Sequence, residues 1–128
     1  MTGSKCLLDT SIIVSSFRND HLIIAQLYTF SEIFIPSIAV GELYYGAYRS
    51  ANIQKHLDQL HRFLTDYTVL TPDVFTADVY GNIKAALKNK GKPIPENDMW
   101  IAAIAIQFKL PLFTTDKHFK EIDSLIQI

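Results

Sequence analysis

The chain has 128 residues, a length that suits one compact domain, and we expect residues 1–128 to form a single domain. Hydrophobic residues make up 48% of the sequence and charged residues 20%, which excludes an intrinsically disordered chain. The formal net charge of -1 excludes the global basic field of many nucleic-acid-binding proteins, and the single cysteine excludes a disulfide framework and a multi-cysteine zinc site.

The apolar runs are short, and this bears on the cellular location. The run MWIAAIAI at residues 99–106 falls far below the roughly 20 residues that span a bilayer. No charged leader followed by a long apolar segment opens the sequence. We therefore expect a cytoplasmic protein with no membrane segment. Cys6 lies in an apolar run and is predicted to be a core thiol, and we assign no function to the polar start MTGSK.

The first part of the chain predicts two short strands and two helices. KCLLD, residues 5–9, is typical of a buried strand that ends in an acid, and LIIAQLYTF, residues 22–30, of a helix with two apolar faces. EIFIP, residues 32–36, predicts a second strand, ended by its proline, which cannot donate to a sheet. Ser37 is predicted to cap the helix over residues 38–48.

The middle of the chain predicts a helix, a strand and a second helix. Apolar residues follow a 3.6-residue period over residues 53–67, and TVL at residues 68–70 predicts a third short strand. A helix is predicted to start at Pro72 and Asp73 and to end at Gly91. Its predicted buried face consists of Phe75, Val79, Ile83 and Leu87.

The last part of the chain completes an alternation of strands and helices. A loop with two prolines leads into an apolar helix that begins near Asn97. LPLFTTD, residues 110–116, predicts a fourth strand that ends in an acid, and LIQI, residues 125–128, a possible fifth. Short apolar strands that alternate with helices predict an α/β/α sandwich around a mostly parallel sheet of four to five strands.

Four carboxylates interrupt stretches that otherwise read as core. Asp9 and Asp116 each end an apolar strand, Asp98 lies at a helix start, and Glu42 lies inside an apolar helix. A parallel sheet can bring such residues to one edge, where their charges repel one another. A hard divalent cation, Mg²⁺ or Mn²⁺, is the simplest compensation. The sequence therefore predicts a metal site suited to phosphodiester hydrolysis.

Each acid also has a simpler interpretation. Asp9 and Asp98 can cap the helices that follow them, Asp116 can be a turn residue, and Glu42 can be solvated. We favour the cluster because four independent coincidences of this kind are less probable than one site.

Hydroxyl side chains accompany two of the acids. They are suited to orienting phosphate oxygens or ligand waters, and they are Thr10, Ser11, Thr114 and Thr115. His118, two residues after Asp116, reads as a surface histidine, with substrate contact as the alternative.

The segments LLDTSIIV, SIAVGELYYGA, NDMWIAAIA and LFTTDKHF, in this order and spacing, resemble the PIN-domain family. The similarity is to the VapC-type toxin ribonucleases of bacterial toxin–antitoxin pairs and runs over about residues 5–122. It implies an α/β/α fold and Mg²⁺- or Mn²⁺-dependent cleavage of single-stranded RNA. The acids of the family fall on Asp9, Glu42, Asp98 and Asp116, and its small hydroxyl residue falls on Thr10. Glu96 leaves open which acid of its loop faces the metal.

The resemblance also implies partners, namely an RNA substrate and a cognate VapB-like antitoxin. Apolar surface on the helices at residues 22–30 and 38–48 exceeds what one small core needs, which together with the resemblance predicts a homodimer.

Two other functions stay open. A phosphoaspartyl phosphatase or receiver-type domain also places an Asp at a strand end, but a dehalogenase-type phosphatase needs a second Asp where this chain has Ser11. A non-catalytic module that binds RNA or protein is the second alternative, although such a module has no need of four clustered acids.

Overall fold

The computed structural model describes residues 4–128, so residues 1–3 of the polar start lie outside the described residues. The described part is an α/β/α sandwich. Its strands are β1 Lys5–Leu8, β2 Glu32–Pro36, β3 Thr68–Leu70 and β4 Leu112–Phe113, and a 3₁₀ helix occupies Lys117–Glu121. Its α-helices are α1 Thr10–Phe17, α2 His21–Leu27, α3 Ser37–Tyr48, α4 Ile53–Leu64, α5 Val74–Lys90 and α6 Glu96–Gln107. Within residues 4–128, no helix combines the length and the hydropathy that a bilayer span requires.

The sheet has the order β3-β2-β1-β4, and all three strand pairs are parallel. The chain builds outward from β1 to β3 on one side and then returns to add β4 on the other side of β1. Ligands of such sheets bind at the carboxyl ends of the strands where the order reverses. This fold therefore has its natural binding crevice above β1 and β4.

The end of the sheet is shorter than the sequence predicts. The strand predicted over residues 110–116 is limited to Leu112–Phe113, since the backbone N–H groups of Thr115 and Asp116 donate to the hydroxyls of Ser11 and Thr114 and not to a neighbouring strand. The possible fifth strand at residues 125–128 is reduced to a single parallel bridge between Leu112 and Gln127.

The central strand β1 is enclosed on both faces. Cys6, Leu7 and Leu8 are fully buried, as expected for a strand with parallel neighbours on both sides. Burial raises the pKa of the Cys6 thiol to about 12, so this cysteine is an unreactive core residue, as predicted. Such packing makes the end of β1 a rigid support for the residue that follows it.

The entry into α3 differs from the predicted cap. Pro36 occupies the N-cap position with extended backbone angles, and Ser37 is the first helical residue, without a capping hydrogen bond from a side chain. The prediction that Ser37 caps this helix is therefore wrong. The strand passes straight into the helix because the fixed φ of proline suits this junction. As a result, α3 starts at the carboxyl edge of the sheet.

Helix α5 has the predicted ends but a different buried face. Asp73 and Thr76 form a reciprocal capping box, and Gly91 ends the helix with a φ of 68°. Phe75 is 73% exposed, so its predicted place in the core is wrong. Thr76 is buried instead, because its hydroxyl group is hydrogen-bonded to Asp73 and to Gln107 of α6.

Candidate active site

Asp9 follows β1 directly and is only 4% exposed. Its backbone N–H donates to the carbonyl of Phe113 at 3.0 Å, which extends the pairing of β1 with β4 by one residue. Its Oδ2 accepts hydrogen bonds from Ser11 Oγ and Thr114 Oγ1, both at 2.8 Å. Asp9 occupies the N-cap position of α1, but its side chain caps nothing. The capping interpretation is therefore wrong, and Oδ1 lies outside this pair of hydroxyl bonds.

Thr114 links two of the acids. Its Oγ1 donates to Asp9 and accepts from the backbone N–H of Asp116 at 2.9 Å. Asp116 then caps the 3₁₀ helix, since its Oδ1 accepts from the backbone N–H of His118 at 2.9 Å. The turn role considered for Asp116 is thus present, and Asp116 also lines a cleft together with Glu42 and Asp98.

Glu42 lies in the second turn of α3 and is half-buried. Its Oε1 accepts a hydrogen bond from Thr10 Oγ1 at 2.7 Å, which joins α3 to the first residue of α1. Glu42 is therefore held in place by a neighbouring helix and is not simply solvated. Three of the four hydroxyls predicted to orient phosphate oxygens or ligand waters bond to carboxylates, with Thr10 on Glu42 and Ser11 and Thr114 on Asp9.

Asp98 lies in the first turn of α6 and is buried, with 8% exposure. The N-cap of α6 is Pro95, without a side-chain cap, so the capping interpretation of Asp98 is wrong. Burial, followed by the charges of Asp116, Asp9 and Glu42, raises the pKa of Asp98 to about 6, while His118 opposes this shift. The other three predicted acids therefore lie near enough to Asp98 for their charges to act on it.

His118 completes the cluster, although the sequence favoured a surface histidine and did not place it among the site residues. Its Nδ1 lies 3.0 Å from Asp116 Oδ1 and 3.3 Å from Asp98 Oδ2. Although the side chain is 52% exposed, it is not a plain surface histidine. The sequence signal was the position of His118, two residues after the strand-end acid Asp116. At so short a spacing, the chain cannot carry His118 far from Asp116.

Glu96 is bonded to another helix, although it lines the same cleft as Asp98 and Asp116. Its carboxylate accepts from Tyr80 Oη and pairs with Lys84 Nζ, both at 2.5 Å and both on α5. Trp100, one turn further along α6, stacks on Tyr80 with ring centroids 4.0 Å apart. Glu96 therefore connects α6 to α5, and Asp98 is the acid of this loop that joins the other three.

The site opens to solvent and has the chemistry of a metal centre. A cleft of about 430 Å³ is lined by residues that include Glu42, Asp98, Asp116 and His118. Asp98, Asp116 and His118 each offer a ligand atom, and these atoms all lie within 4.8 Å of one another. Mutually repelling carboxylate oxygens at the end of an open cleft fit Mg²⁺ or Mn²⁺.

Comparison of the sequence with known proteins identifies one family and several similar ribonucleases. The sequence model of the PIN domain matches residues 6–125. The chain is similar to Ribonuclease VapC2 of Haemophilus influenzae, with 37% identity over 124 residues and 94% of each protein covered. It is also similar to the tRNA(fMet)-specific endonuclease VapC of Shigella flexneri, with 27% identity over 124 residues and 94% of each covered.

Solved structures show the same similarity in three dimensions. The VapBC2 structure from Rickettsia felis, bound to a DNA fragment from its promoter, contains a chain with a TM-score of 0.92 and 28% identity over 97% of both chains. The DNA-bound VapBC structure from Salmonella typhimurium contains one with a TM-score of 0.90 and 29% identity, over 98% of this chain and 97% of the other.

Proposed function

The chain belongs to the PIN-domain family, and we propose that it is a metal-dependent endoribonuclease that acts as the toxin of a type II toxin–antitoxin pair. The observation that carries this proposal is the approach of three carboxylates, from separate segments of the chain, to the buried Asp98. Glu42, Asp98 and Asp116 also line one cleft. Relatives named as VapC ribonucleases match along nearly their whole length, which supports RNA as the substrate.

The metal is proposed to be Mg²⁺ or Mn²⁺, held by Asp9, Glu42, Asp98 and Asp116. When bound, such an ion lowers the pKa of a water molecule and stabilises the charge that develops on the leaving oxygen. The raised pKa of Asp98 supports the assignment, since a nearby cation relieves the repulsion that burial and the other acids impose on this carboxylate.

The residues of the chain are proposed to supply a rigid frame for in-line attack at phosphorus. Asp9 stands on the fully buried strand β1, and Ser11 and Thr114 hold one of its oxygens. Thr10 holds Glu42 in the same manner. Fixed acceptors of this kind limit how far the reacting groups can move, and the correct orientation of reactants accounts for a large part of enzymatic rate enhancement. Thr10 and Thr114 are thus supporting residues.

The partners and setting follow from the same assignment. The chain pairs with a VapB-like antitoxin, as in the VapBC structures that it resembles, and RNA is its substrate. We further propose that the whole chain, residues 1–128, acts as one nuclease domain in the cytoplasm and forms a homodimer.

The surroundings of Asp9 argue against the phosphoaspartyl alternative. A nucleophilic or phosphorylated Asp must be reached by phosphorus, yet Asp9 is 4% exposed and one of its oxygens already accepts two hydroxyl bonds. The side chain two residues later, where a dehalogenase-type phosphatase has its second acid, is Ser11, and its hydroxyl is one of these donors. A non-catalytic module has no need of the repulsion among the acids.

Cleavage of single-stranded RNA by the antitoxin-free protein tests the proposal. We expect cleavage with millimolar Mg²⁺ or Mn²⁺, none with EDTA, and recovery when the metal is restored in excess. Because attack by water needs no 2'-hydroxyl nucleophile, the products should carry 5'-phosphate and 3'-hydroxyl ends. Cleavage that persists in EDTA, or products that end in 2',3'-cyclic phosphate, would contradict the proposed chemistry.

A further inference from the structure

We propose that His118 is a nitrogen ligand of the candidate metal site and that it makes the site prefer Mn²⁺ over Mg²⁺. The inference rests on the proposed metal site and deepens it. A purely carboxylate site binds both ions through oxygen, whereas an imidazole nitrogen favours the transition metal.

The positions of the ligand atoms carry the first step. His118 Nδ1 lies 3.0 Å from Asp116 Oδ1 and 3.3 Å from Asp98 Oδ2. Neighbouring ligands of an octahedral ion with bonds of about 2.1 Å are separated by about 3 Å. The three side chains thus place their donor atoms at separations that suit one shared ion.

The local backbone carries the second step, because it fixes the imidazole beside the acids. Asp116 Oδ1 accepts the backbone N–H of His118 at 2.9 Å. The next residue, Phe119, is fully buried and anchors the 3₁₀ helix in the core. The backbone of His118 is therefore fixed beside the acids, which keeps its imidazole within reach of Asp98 and Asp116.

The donor atoms of a neutral imidazole fit this binding mode. A neutral imidazole has one N–H and one lone pair, and a metal takes the lone pair of the nitrogen that it binds. The side chain is 52% exposed, so Nε2 can keep its proton in contact with water while Nδ1 faces the acids. Binding through Nδ1 thus leaves no buried polar group without a partner.

A competing role for His118 makes a different prediction. If the imidazole were only a cation that neutralises Asp98 and Asp116, it would compete with any bound metal. Its removal would then strengthen the binding of both ions. A nitrogen ligand behaves in the opposite way, since its removal weakens Mn²⁺ binding and changes Mg²⁺ binding little.

Calorimetric titration of the tag-free protein with Mn²⁺ or Mg²⁺, in the absence of RNA, separates these roles. We compare the wild type with His118→Ala and His118→Gln, and with His21→Ala as a control for an exposed histidine on α2. We expect both His118 variants to bind Mn²⁺ about tenfold more weakly and Mg²⁺ within about twofold of the wild type. The control should bind both ions as the wild type does.

Electron spin-echo spectroscopy of bound Mn²⁺ detects a nitrogen ligand directly, and the decisive measurement is made on the wild type. The wild type and His21→Ala should show coupling of Mn²⁺ to a directly bound ¹⁴N nucleus, and His118→Ala should lose it. Absence of this coupling in the wild type would overturn the inference, as would equal losses of both ions or a gain in affinity for both.

The same titration distinguishes a failure of this inference from a failure of the proposed function. If Asp9→Asn and Asp98→Asn abolish metal binding while His118→Ala does not alter it, the carboxylate site stands and only the role of His118 is wrong. If the two Asp variants bind metal as well as the wild type does, the proposed metal site itself is wrong.

Discussion

At the scale of single residues, Asp98 bears the greatest electrostatic strain of the site. Burial, and then the charges of the other acids, raise its pKa from 3.8 to about 6. Between these two values, the metal-free folded state holds more protons than the unfolded state. The free energy of unfolding therefore falls as pH rises through this window, and ionised Asp98 destabilises the fold above pH 6.

Asp98→Asn should accordingly stabilise the metal-free protein. In EDTA at pH 7, we expect a gain in unfolding free energy on the order of 1–2 kcal/mol, and we expect this gain to vanish near pH 4. Denaturant titration from pH 4 to 7 measures the difference, with Asp78→Asn on the exposed surface of α5 as control. A gain that does not depend on pH would contradict this explanation.

Thr114 is the hydroxyl that connects two acids, so its loss should affect catalysis more than folding. Thr114→Val keeps the shape but removes both the bond to Asp9 and the acceptor for the N–H of Asp116. We expect the RNA cleavage rate to fall about tenfold or more, as for other residues that orient metal ligands. Thr115→Val, at an exposed neighbouring position, should cleave at close to the wild-type rate.

At the scale of secondary structure, local sequence patterns were sufficient to predict an element or its end where a few neighbouring residues determine the backbone conformation. The apolar runs predicted β1, β2 and β3, and Asp73 and Gly91 correctly marked the two ends of α5. These predictions succeeded because strand burial, capping and left-handed backbone angles depend on near neighbours in the sequence.

The sequence-based predictions were wrong where contacts between distant segments of the chain decide which side chain is buried or bonded. Phe75 has the spacing of a core residue, but Gln107 of α6 satisfies the hydroxyl of Thr76 and allows Thr76 to take that place. His118 reads as a surface residue because its contact with Asp98 joins separate segments of the chain. The acids whose charges act on Asp98 are the other three named from the sequence, but the sequence did not indicate which hydroxyls hold them.

Helix α6 carries two neighbouring acids with different tasks, which leads to a prediction for Glu96. Glu96 is paired with Lys84 and Tyr80 of α5, and Asp98 faces the other acids. Glu96→Gln should therefore keep its Mg²⁺ affinity within about twofold of the wild type, since no metal ligand is lost. Asp98→Asn should lose most of its affinity in the same calorimetric titration, and an equal loss in both variants would show that Glu96 is part of the site.

At the scale of the whole molecule, the sheet order explains why the site is where it is. β1 lies between β2 and β4, so residues after β1 and β4 meet at the reversal of strand order, and α3 starts at the same edge. The prediction of an acidic site at the carboxyl edge of the sheet depends on the order of the strands and not on their exact lengths. The shortened β4 therefore does not alter this prediction.

The exposed aromatic surface supports the predicted homodimer. Tyr45 and Tyr48 of α3 are 64% and 60% exposed, and Leu22 and Tyr28 near α2 are 80% and 86% exposed. Light scattering of the antitoxin-free protein at micromolar concentration should give twice the mass of one chain. The double variant Tyr45→Glu, Tyr48→Glu should be a monomer, and Val74→Glu, at an 81% exposed site on α5, should remain a dimer. A monomeric wild type would exclude this interface.

The carboxylate held at the end of β1 is proposed to serve RNA hydrolysis, and the cleavage rate of Asp9→Asn measures its contribution. An asparagine can still accept the hydroxyl bonds of Ser11 and Thr114, so the variant should keep the wild-type fold while losing the charge. With Asp78→Asn as control and saturating Mg²⁺ or Mn²⁺, we expect the rate of Asp9→Asn to fall by about 100-fold or more and that of the control to stay at the wild-type value. A folded Asp9→Asn protein that cleaves RNA as fast as the wild type would contradict the claim.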